Sequence, residues 1–294
     1  MDINRYSPSY ILDKKHLIGL SDYSTEEIFE LLYATKALKR KFEAHEETNI
    51  LRGTTVALLF ADTSLRTRSA IEIGTHQLGG SCVDLPYSDN DMHAGENVKD
   101  LVNVISRYGV SALVTRGINK KLLKEFTAIS SMPIINSHND DCVPIQALSD
   151  LFTIWEKKGE LAGVKLAVVG RATSMTSSFV IGAVKCGMDV SLACPARYGL
   201  KRENMEAAEQ LGKIYTTDNP IEAVRDADVV YTNAYRYHTV ISDEEKEIFA
   251  PYRVDAGLMS YAKHNSVFMH PLPATRGQEV TADVIDGKHS IVYD

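Results

Sequence analysis

Residues 55–70 read TVALLFADTSLRTRSA, and they decide the fold of the first half of the chain. The apolar run Thr55–Phe60 predicts a buried strand, Asp62–Ser69 a loop, and Ala70–Leu78 a helix. The loop carries two arginines and four hydroxyl residues where a helix begins. Free N–H groups at a helix N-terminus attract anions, and arginine forks bind phosphate oxygens. The stretch therefore indicates an oxyanion pocket, with phosphate as the preferred ligand; the alternative is a basic first turn with a Ser or Thr cap.

The composition allows either one large domain or two medium ones. The chain has 294 residues, of which 44% are hydrophobic and 24% are charged, so a sizeable core can form. Its net charge of −7 argues against nucleic acid or an acidic membrane as a general partner. A local cationic pocket remains compatible with this charge.

The cysteines and the N-terminus indicate a cytoplasmic protein. The four cysteines include no Cys-x-x-Cys pair, and Met1–Tyr6 contain no apolar leader segment. We therefore expect reduced thiols. No apolar run approaches the length of a membrane span, so we expect no membrane partner.

Strands alternate with helices along the chain. Ser24 and Glu27 fit a capping box for a helix that runs to about Lys41. Arg116 ends a strand, and this position in an α/β sheet faces the ligand crevice. Further strands are predicted at 81–85, 112–116, 133–136, 164–170, 190–194, 214–215, 229–231 and 266–269. Further helices are predicted at 98–108, 144–158, 204–211, 221–225 and 242–249, with another that opens in the turn 171–178 and ends at 184.

This alternation predicts an α/β fold with two three-layer domains, each built on a parallel sheet. We place the domains at residues 1–148 and 149–294, with the boundary in the helix around Gln146–Lys158. The polar stretch Tyr87–Asn97 is a loop, either a mobile one at a site or an inert one on the surface.

Three other classes of site fit the sequence poorly. The turn Val169–Ser174 lacks the glycines of a dinucleotide-binding fingerprint, and no P-loop motif is present. His138 with Asp140, Asp141 and Cys142 could suggest a metal, but polar loops of this kind usually bind nothing. We therefore expect neither a metal nor a cofactor.

Three segments resemble motifs of the aspartate and ornithine carbamoyltransferases. Ser64–Arg68 resembles their Ser-Thr-Arg-Thr-Arg motif, Pro144–Gln146 the end of His-Pro-x-Gln, and His270–Gly277 the His-Pro/Cys-Leu-Pro motif. Order and spacing agree from about Lys15 to Asp294. The resemblance implies an N-terminal domain for carbamoyl phosphate and a C-terminal domain for an amine-bearing second substrate. It also implies a homotrimer with active sites shared between subunits.

The resemblance implies a role for each matching residue. Arg116 would touch both phosphate and carbamoyl oxygen, and Gln146 would bind the carbamoyl amine. Arg276 would be a further contact to carbamoyl phosphate, and Gly95-Glu96 would belong to a loop that a neighbouring subunit inserts. The phosphate would be held by Ser64, Arg66, Thr67 and the N–H of Leu65, and the site would be lined by the backbone carbonyls of His270, Pro271 and Leu272. An amine would attack the carbamoyl carbon while these donors stabilise the developing charge and the leaving phosphate.

Several positions depart from the family pattern. Val143 replaces the motif histidine that would donate to the carbamoyl oxygen; His138 could substitute for it, although a solvated loop histidine is the simpler interpretation. Family members usually continue past the position of Asp294 into a helix that returns to the first domain, so we expect domain coupling to differ here. Three segments align with the acceptor motifs of the ornithine branch, but none of these segments keeps the sequence of its motif. They are Arg171–Ser177, Asn233–Thr239 and Pro271.

The acceptor positions also differ from those of the aspartate branch. Ala234 stands where that branch has an arginine, with Arg236 two residues further on, and the lysine of its inserted loop falls near His93. Arg171 and Arg236 lie in the two predicted acceptor loops. Two cations there suit a carboxylate-bearing amine or amide better than a dibasic amino acid, unless either one faces solvent or pairs with a surface acid.

Three hypotheses follow. The first is a carbamoyltransferase whose residues specify neither ornithine nor aspartate as the acceptor. The second is an ornithine or aspartate carbamoyltransferase with unusual site residues. The third is a non-catalytic relative that binds an anion or acts as a partner subunit. Both transfer and the reverse phosphorolysis are compatible with these residues.

Overall fold

A computed structural model describes residues 1–86, 98–236 and 241–294. The predicted loop Tyr87–Asn97, with Gly95-Glu96 and the His93 position, lies outside the described residues, as does the end of Asn233–Thr239 from residue 237. The chain forms two compact units, one of residues 8–145 and one of residues 1–7 together with 146–294. Each contains a parallel sheet with helices, which confirms the predicted α/β class.

The first unit contains a four-stranded parallel sheet. Its strand order is β2-β1-β3-β4, and the apolar strand β1 lies inside the sheet, as its buried residues Ala57–Phe60 require. Leu113 and Phe126 are fully buried in the core beside the sheet. The elements are α1 (Thr25–Glu43), β1 (Thr55–Phe60), α2 (Leu65–Gln77), β2 (Ser81–Pro86), α3 (Val98–Arg107), β3 (Val110–Arg116), α4 (Lys120–Ile129) and β4 (Ile134–His138).

Helix ends in this unit follow from side-chain caps. Ser24 and Glu27 form the predicted capping box of α1. Helix α4 is absent from the sequence prediction, although Asn119 caps it by accepting a hydrogen bond from the Leu122 N–H at 2.9 Å. Helix α2 begins at Leu65, five residues before the predicted start at Ala70. The polar residues that suggest a loop form the exposed first turn of this helix instead.

The second unit contains a five-stranded parallel sheet, in the order β7 (Ile214–Thr217), β6 (Asp189–Ala193), β5 (Lys165–Val169), β8 (Val229–Thr232) and β9 (Val267–Met269). Strand β5 is central and apolar, and α6 packs against the sheet with a fully buried Phe179. The predicted capping box of Ser242 and Glu245 is confirmed. The elements are α5 (Pro144–Lys158), β5 (Lys165–Val169), α6 (Ser174–Lys185), β6 (Asp189–Ala193), α7 (Arg202–Glu209), β7 (Ile214–Thr217), α8 (Pro220–Val224), β8 (Val229–Thr232), α9 (Asp243–Phe249), α10 (Ala256–Met259), β9 (Val267–Met269) and α11 (Ala282–Ile285).

Candidate active site

Strand order places a crevice between β1 and β3 in the first unit. The chain runs from β1 to one side of the sheet and then returns to the other side, and ligands bind at the carboxyl ends of strands where the order reverses in this way. Phe60 pairs with Arg116 across these two strands, and the Ala61 N–H donates to the Arg116 carbonyl at 2.9 Å. The loop before α2 and the Arg116 side chain therefore border the same crevice.

The N-terminus of α2 has the features of an anion site. Ser64 occupies the N-cap position, but its hydroxyl makes no capping hydrogen bond, so the proposed Ser cap is wrong. The N–H groups of Leu65, Arg66 and Thr67 in this first turn have no partner within the helix. Leu65 is 83% exposed, so its side chain contributes little to the core, and the proposed role of this residue lies in its backbone N–H. The Arg66 guanidinium makes no hydrogen bond or ion pair with any other described residue.

Two other arginines nearby are already paired. Arg68 forms an ion pair with Asp84 and lies over the Phe60 ring. Arg116 donates from Nε to Asp62 Oδ1 at 2.7 Å, which leaves its terminal N–H groups unbonded within the described part of the chain. Among the described arginines of this crevice, Arg66 and the terminal nitrogens of Arg116 are therefore available to an anion, in addition to the first-turn N–H groups of α2.

His138 lies at the end of β4, beside Arg116. The two residues are register partners, and the Gly117 N–H donates to the His138 carbonyl at 2.8 Å. The ring Nδ1 is buried and has no hydrogen-bond partner among the described residues. Burial, and then the Arg116 charge, lower the pKa of His138, so the imidazole is neutral at pH 7. The interpretation as a solvated loop histidine is therefore wrong, while Val143 is buried and apolar.

The second unit has its own crevice, between β5 and β8, where the strand order reverses again. Gly170 follows β5 with a φ of +106°, and a Cβ there would lie 2.9 Å from a Tyr235 ring carbon. Only glycine permits this approach of the two loops. The Asn233 carboxamide joins the same loops, since its oxygen accepts from the Thr176 hydroxyl at 3.0 Å and its nitrogen donates to the Arg171 carbonyl at 3.1 Å.

Arg171 and Arg236 both bind Glu245. Arg171 Nη1 lies 3.2 Å from Glu245 Oε1, and Arg236 donates to the same oxygen from Nε at 3.1 Å and from Nη2 at 2.9 Å. The Arg236 guanidinium lowers the pKa of Glu245 to about 2, which keeps this carboxylate ionised. Both predicted acceptor-loop arginines are therefore paired with an acid, as the alternative interpretation allowed, but this acid is the buried Glu245 and not a surface residue.

The motif glutamine has a buried partner. Gln146 Nε2 donates to Asp150 Oδ1 at 2.9 Å, and the Tyr231 hydroxyl donates to Asp150 Oδ2 at 3.2 Å. Burial raises the pKa of Asp150 to about 7, although both hydrogen bonds favour the ionised form. Since Nε2 is bonded to Asp150, the Gln146 oxygen is the group left to accept from a ligand. The sequence could have indicated the Gln146–Asp150 contact, because side chains four residues apart on one helix are neighbours.

The last motif forms a turn on a buried histidine. His270 Nδ1 accepts from the Leu272 N–H at 2.9 Å, and His270 Nε2 lies 3.4 Å from Glu279 Oε1. Glu279 also accepts from the Thr275 N–H. The hydrogen bonds from the Leu272 and Thr275 N–H groups fix the backbone that carries the predicted carbonyls of His270, Pro271 and Leu272.

Arg276 follows this turn, and Asp286 occupies its fork. Nε and Nη2 of Arg276 donate to the two oxygens of Asp286 at 2.8 and 2.6 Å. A contact from Arg276 to carbamoyl phosphate therefore has to compete with this ion pair.

The described part of the chain contains neither a metal-binding cluster nor a membrane-spanning helix. Within residues 1–86, 98–236 and 241–294, no three His, Cys, Asp or Glu side chains are grouped to hold a metal ion. In the same residues, no helix has both the length and the apolar character needed to cross a membrane.

Two family models match almost the whole chain. Residues 15–156 match the model described as "Aspartate/ornithine carbamoyltransferase, carbamoyl-P binding domain", and residues 162–294 match "Aspartate/ornithine carbamoyltransferase, Asp/Orn binding domain". The chain belongs to the aspartate/ornithine carbamoyltransferase family. It is a carbamoyltransferase of the ornithine branch, which confirms the family and the enzyme class that the three motifs predicted.

Named relatives agree with this assignment. The chain is 38% identical over 290 residues to an ornithine carbamoyltransferase of Pyrococcus abyssi, covering 96% of this chain and 91% of the relative. It is 41% identical over 286 residues to that of Bacillus subtilis, covering 95% and 88%. The solved ornithine carbamoyltransferase of Pyrococcus furiosus superposes with a TM-score of 0.90 at 36% identity, covering 95% of this chain and 91% of the other.

Proposed function

We propose that this carbamoyltransferase moves the carbamoyl group of carbamoyl phosphate to the amine of a small amino acid, with ornithine as the first acceptor to test. The observation that carries this proposal is the N-terminus of α2, where the Ser64 hydroxyl makes no cap and Arg66 has no partner among the described residues, at the crevice that Arg116 also borders. It lies in the segment that matches a carbamoyl-phosphate domain. Support for ornithine comes from the names of the relatives at about 38% identity.

Each proposed residue has a chemical task. The phosphate binds to the N–H of Leu65, the hydroxyls of Ser64 and Thr67 and the Arg66 fork. Arg116 donates to the carbamoyl oxygen, and the Gln146 oxygen accepts from the carbamoyl amine. For the second unit, the family resemblance supports carbamoyl-phosphate contacts from the carbonyls of His270, Pro271 and Leu272, and acceptor contacts from the loops of Arg171 and Arg236. Arg276 can contact carbamoyl phosphate only when it leaves its ion pair with Asp286.

The reaction needs no covalent intermediate with the protein. The acceptor nitrogen attacks the carbamoyl carbon, and the tetrahedral intermediate breaks its bond to the phosphate oxygen. The leaving phosphate takes the proton of the amine. Arginine and backbone donors stabilise the charge that develops on the carbamoyl oxygen and on the phosphate, and binding orients the two reactants.

Calorimetric titration with carbamoyl phosphate, followed by ornithine, aspartate and other amines, tests this function. We expect saturable binding, then a second heat and a ureido product with one amine. Arg66→Ala should abolish binding of carbamoyl phosphate, whereas Arg52→Ala, a matched change at an exposed arginine, should not. If carbamoyl phosphate still binds to Arg66→Ala, our placement of the phosphate site is wrong.

The family resemblance further supports a homotrimer with shared active sites, and the pattern of cysteines supports a cytoplasmic location. Sedimentation of the purified chain tests the assembly, with an expected mass three times that of the 32.6 kDa chain. A monomer at the protein concentration used in the activity assay would contradict the proposed trimer.

A further inference from the structure

We propose that Asp150 makes the site select a carbamoyl group over other acyl groups, because it fixes the orientation of the Gln146 side-chain amide. The proposal rests on the proposed carbamoyl transfer, in which the Gln146 oxygen accepts from the carbamoyl amine. A carbamoyl group has an amine where an acetyl group has a methyl and a carboxyl group has an oxygen. The three groups have nearly the same shape, so a site separates them by the hydrogen-bonding group that it presents to this one position.

The Gln146 amide has two ends of similar size and opposite chemistry. Its oxygen accepts hydrogen bonds and its nitrogen donates them, so the neighbours of the amide decide which end faces a ligand. Gln146 is half-buried in the first turn of α5, and its Nε2 donates to Asp150 Oδ1 at 2.9 Å. An ionised carboxylate can only accept, so the opposite orientation would bring two acceptors together. Asp150 therefore leaves the amide oxygen for the ligand.

Asp150 is itself held by the sheet of the second unit. It is 5% exposed, and the Tyr231 hydroxyl, which projects from β8, donates to Asp150 Oδ2 at 3.2 Å. Tyr231 is fully buried, and its ring centroid lies 4.6 Å from that of Phe179. Each carboxylate oxygen thus has its own donor. Asp150 is therefore a positioning residue, whose packing and hydrogen bonds hold the amide that meets the ligand.

The charge of Asp150 is unfavourable for stability where it lies. Neither Gln146 nor Tyr231 carries a charge, and burial raises the pKa of Asp150 to about 7. A buried carboxylate without a cation is costly, and asparagine has the same shape without this cost. The difference between the two side chains is that a carboxylate cannot donate, which is the property that orients Gln146.

Replacing Asp150 with asparagine should turn the Gln146 amide around. The asparagine oxygen can accept from Tyr231 only when its nitrogen takes the place of Oδ1 and points to Gln146. That nitrogen donates to the Gln146 oxygen, so the Gln146 nitrogen then faces the ligand and opposes the carbamoyl N–H groups. Asp150→Ala is the matched control, since it removes the same charge and supplies no donor.

Calorimetric binding of two unreactive phosphonates of equal charge at pH 8 tests the proposal. Phosphonoacetamide carries an amine where 2-oxopropylphosphonate carries a methyl group. We expect wild type to bind phosphonoacetamide about 10- to 100-fold more tightly, because the methyl group leaves the Gln146 oxygen unpaired. Asp150→Asn should lose this preference. The ratio of the two affinities does not depend on the charge at residue 150, because both probes carry the same charge.

A third probe, phosphonoacetate, measures the reversed orientation. Its carboxylate offers only acceptors, so it should bind about 10-fold more tightly to Asp150→Asn than to Asp150→Ala, which has lost the same charge. Asp189→Asn, an exposed change in the same unit, should keep the wild-type affinity for all three probes. Fluorescence of the buried Trp155 checks that each variant is folded.

A preference for phosphonoacetamide that persists in Asp150→Asn would overturn the proposal, and so would wild type without such a preference. An equal loss of affinity for all three probes would also overturn it, because a merely structural role predicts that result. Turnover separates this proposal from the proposed function. If wild type transfers the carbamoyl group while Asp150→Asn keeps the preference, only the role of Asp150 fails. If the preference depends on Asp150 while no acceptor is carbamoylated, the proposed transfer fails and the carbamoyl recognition stands.

Discussion

Replacing Asp150 with asparagine should change how stability depends on pH. Asp150 lies in the second unit with its carboxyl group buried between Gln146 and Tyr231. Burial raises its pKa to about 7, whereas the ordinary value is 3.8. The folded state therefore binds the Asp150 proton more tightly than the unfolded state, and the contribution to stability is complete below pH 3.8 and is lost as pH rises through 7.

The pKa difference sets the size of the effect. At 1.36 kcal/mol for each pKa unit, it corresponds to about 4 kcal/mol in the free energy of unfolding. About 3 kcal/mol of this change falls between pH 5 and pH 8. An asparagine does not titrate, so Asp150→Asn should gain about 3 kcal/mol relative to wild type over that range.

The protein carries a suitable probe for this measurement. Trp155 is the only tryptophan of the chain and lies on the same helix as Asp150, where it is buried. Urea unfolding at pH 5, 6, 7 and 8, followed by Trp155 fluorescence, gives the free energies. Asp189→Asn, an exposed change in the same unit, is the control and should follow wild type at every pH.

Parallel stability curves for wild type and Asp150→Asn would refute this reasoning. They would mean that Asp150 has the same pKa in the folded and unfolded chain. The reasoning would also be refuted if the stability of Asp150→Asn relative to wild type fell as the pH rises. That result would show that the hydrogen bonds stabilise the Asp150 carboxylate more than burial destabilises it.

Three further predictions follow from the sites. If the neutral imidazole of His138, beside Arg116, donates to the carbamoyl oxygen, His138→Leu should lower kcat about 10- to 100-fold. Adding Val143→His to this variant should restore part of the rate. Steady-state kinetics at pH 7 measure both effects, and an unchanged kcat in His138→Leu would contradict this role. Glu279→Gln should lower the affinity for carbamoyl phosphate, because it loosens the turn that His270 and Glu279 hold. Calorimetric titration with carbamoyl phosphate measures this affinity. An unchanged affinity would show that the turn forms without the Glu279 carboxylate. Iodoacetamide at pH 8 should modify Cys82 first. Burial raises the thiol pKa of all four cysteines, but it does so to about 11 at Cys142 and to about 12 at Cys186 and Cys194. Peptide mapping that finds any of these three labelled before Cys82 would contradict the prediction.

The sequence by itself determined the elements and the family. Apolar runs and helical spacing predict most strands and helices, and the capping boxes of Ser24 and Ser242 mark two helix starts, because these signals act within a few residues. Three short motifs in the right order were sufficient to identify a carbamoyltransferase. Helix α2 shows the limit of this reasoning, because a polar first turn and a loop have the same composition.

Only the tertiary structure decided which charges meet. Arg171 and Glu245 are 74 residues apart in sequence, and Asp150 and Tyr231 are 81 apart. The burial of His138 likewise depends on the strand beside it. A pairing or a pKa of this kind depends on neighbours and on exclusion of water, which the order of strands in each sheet fixes and no local pattern encodes.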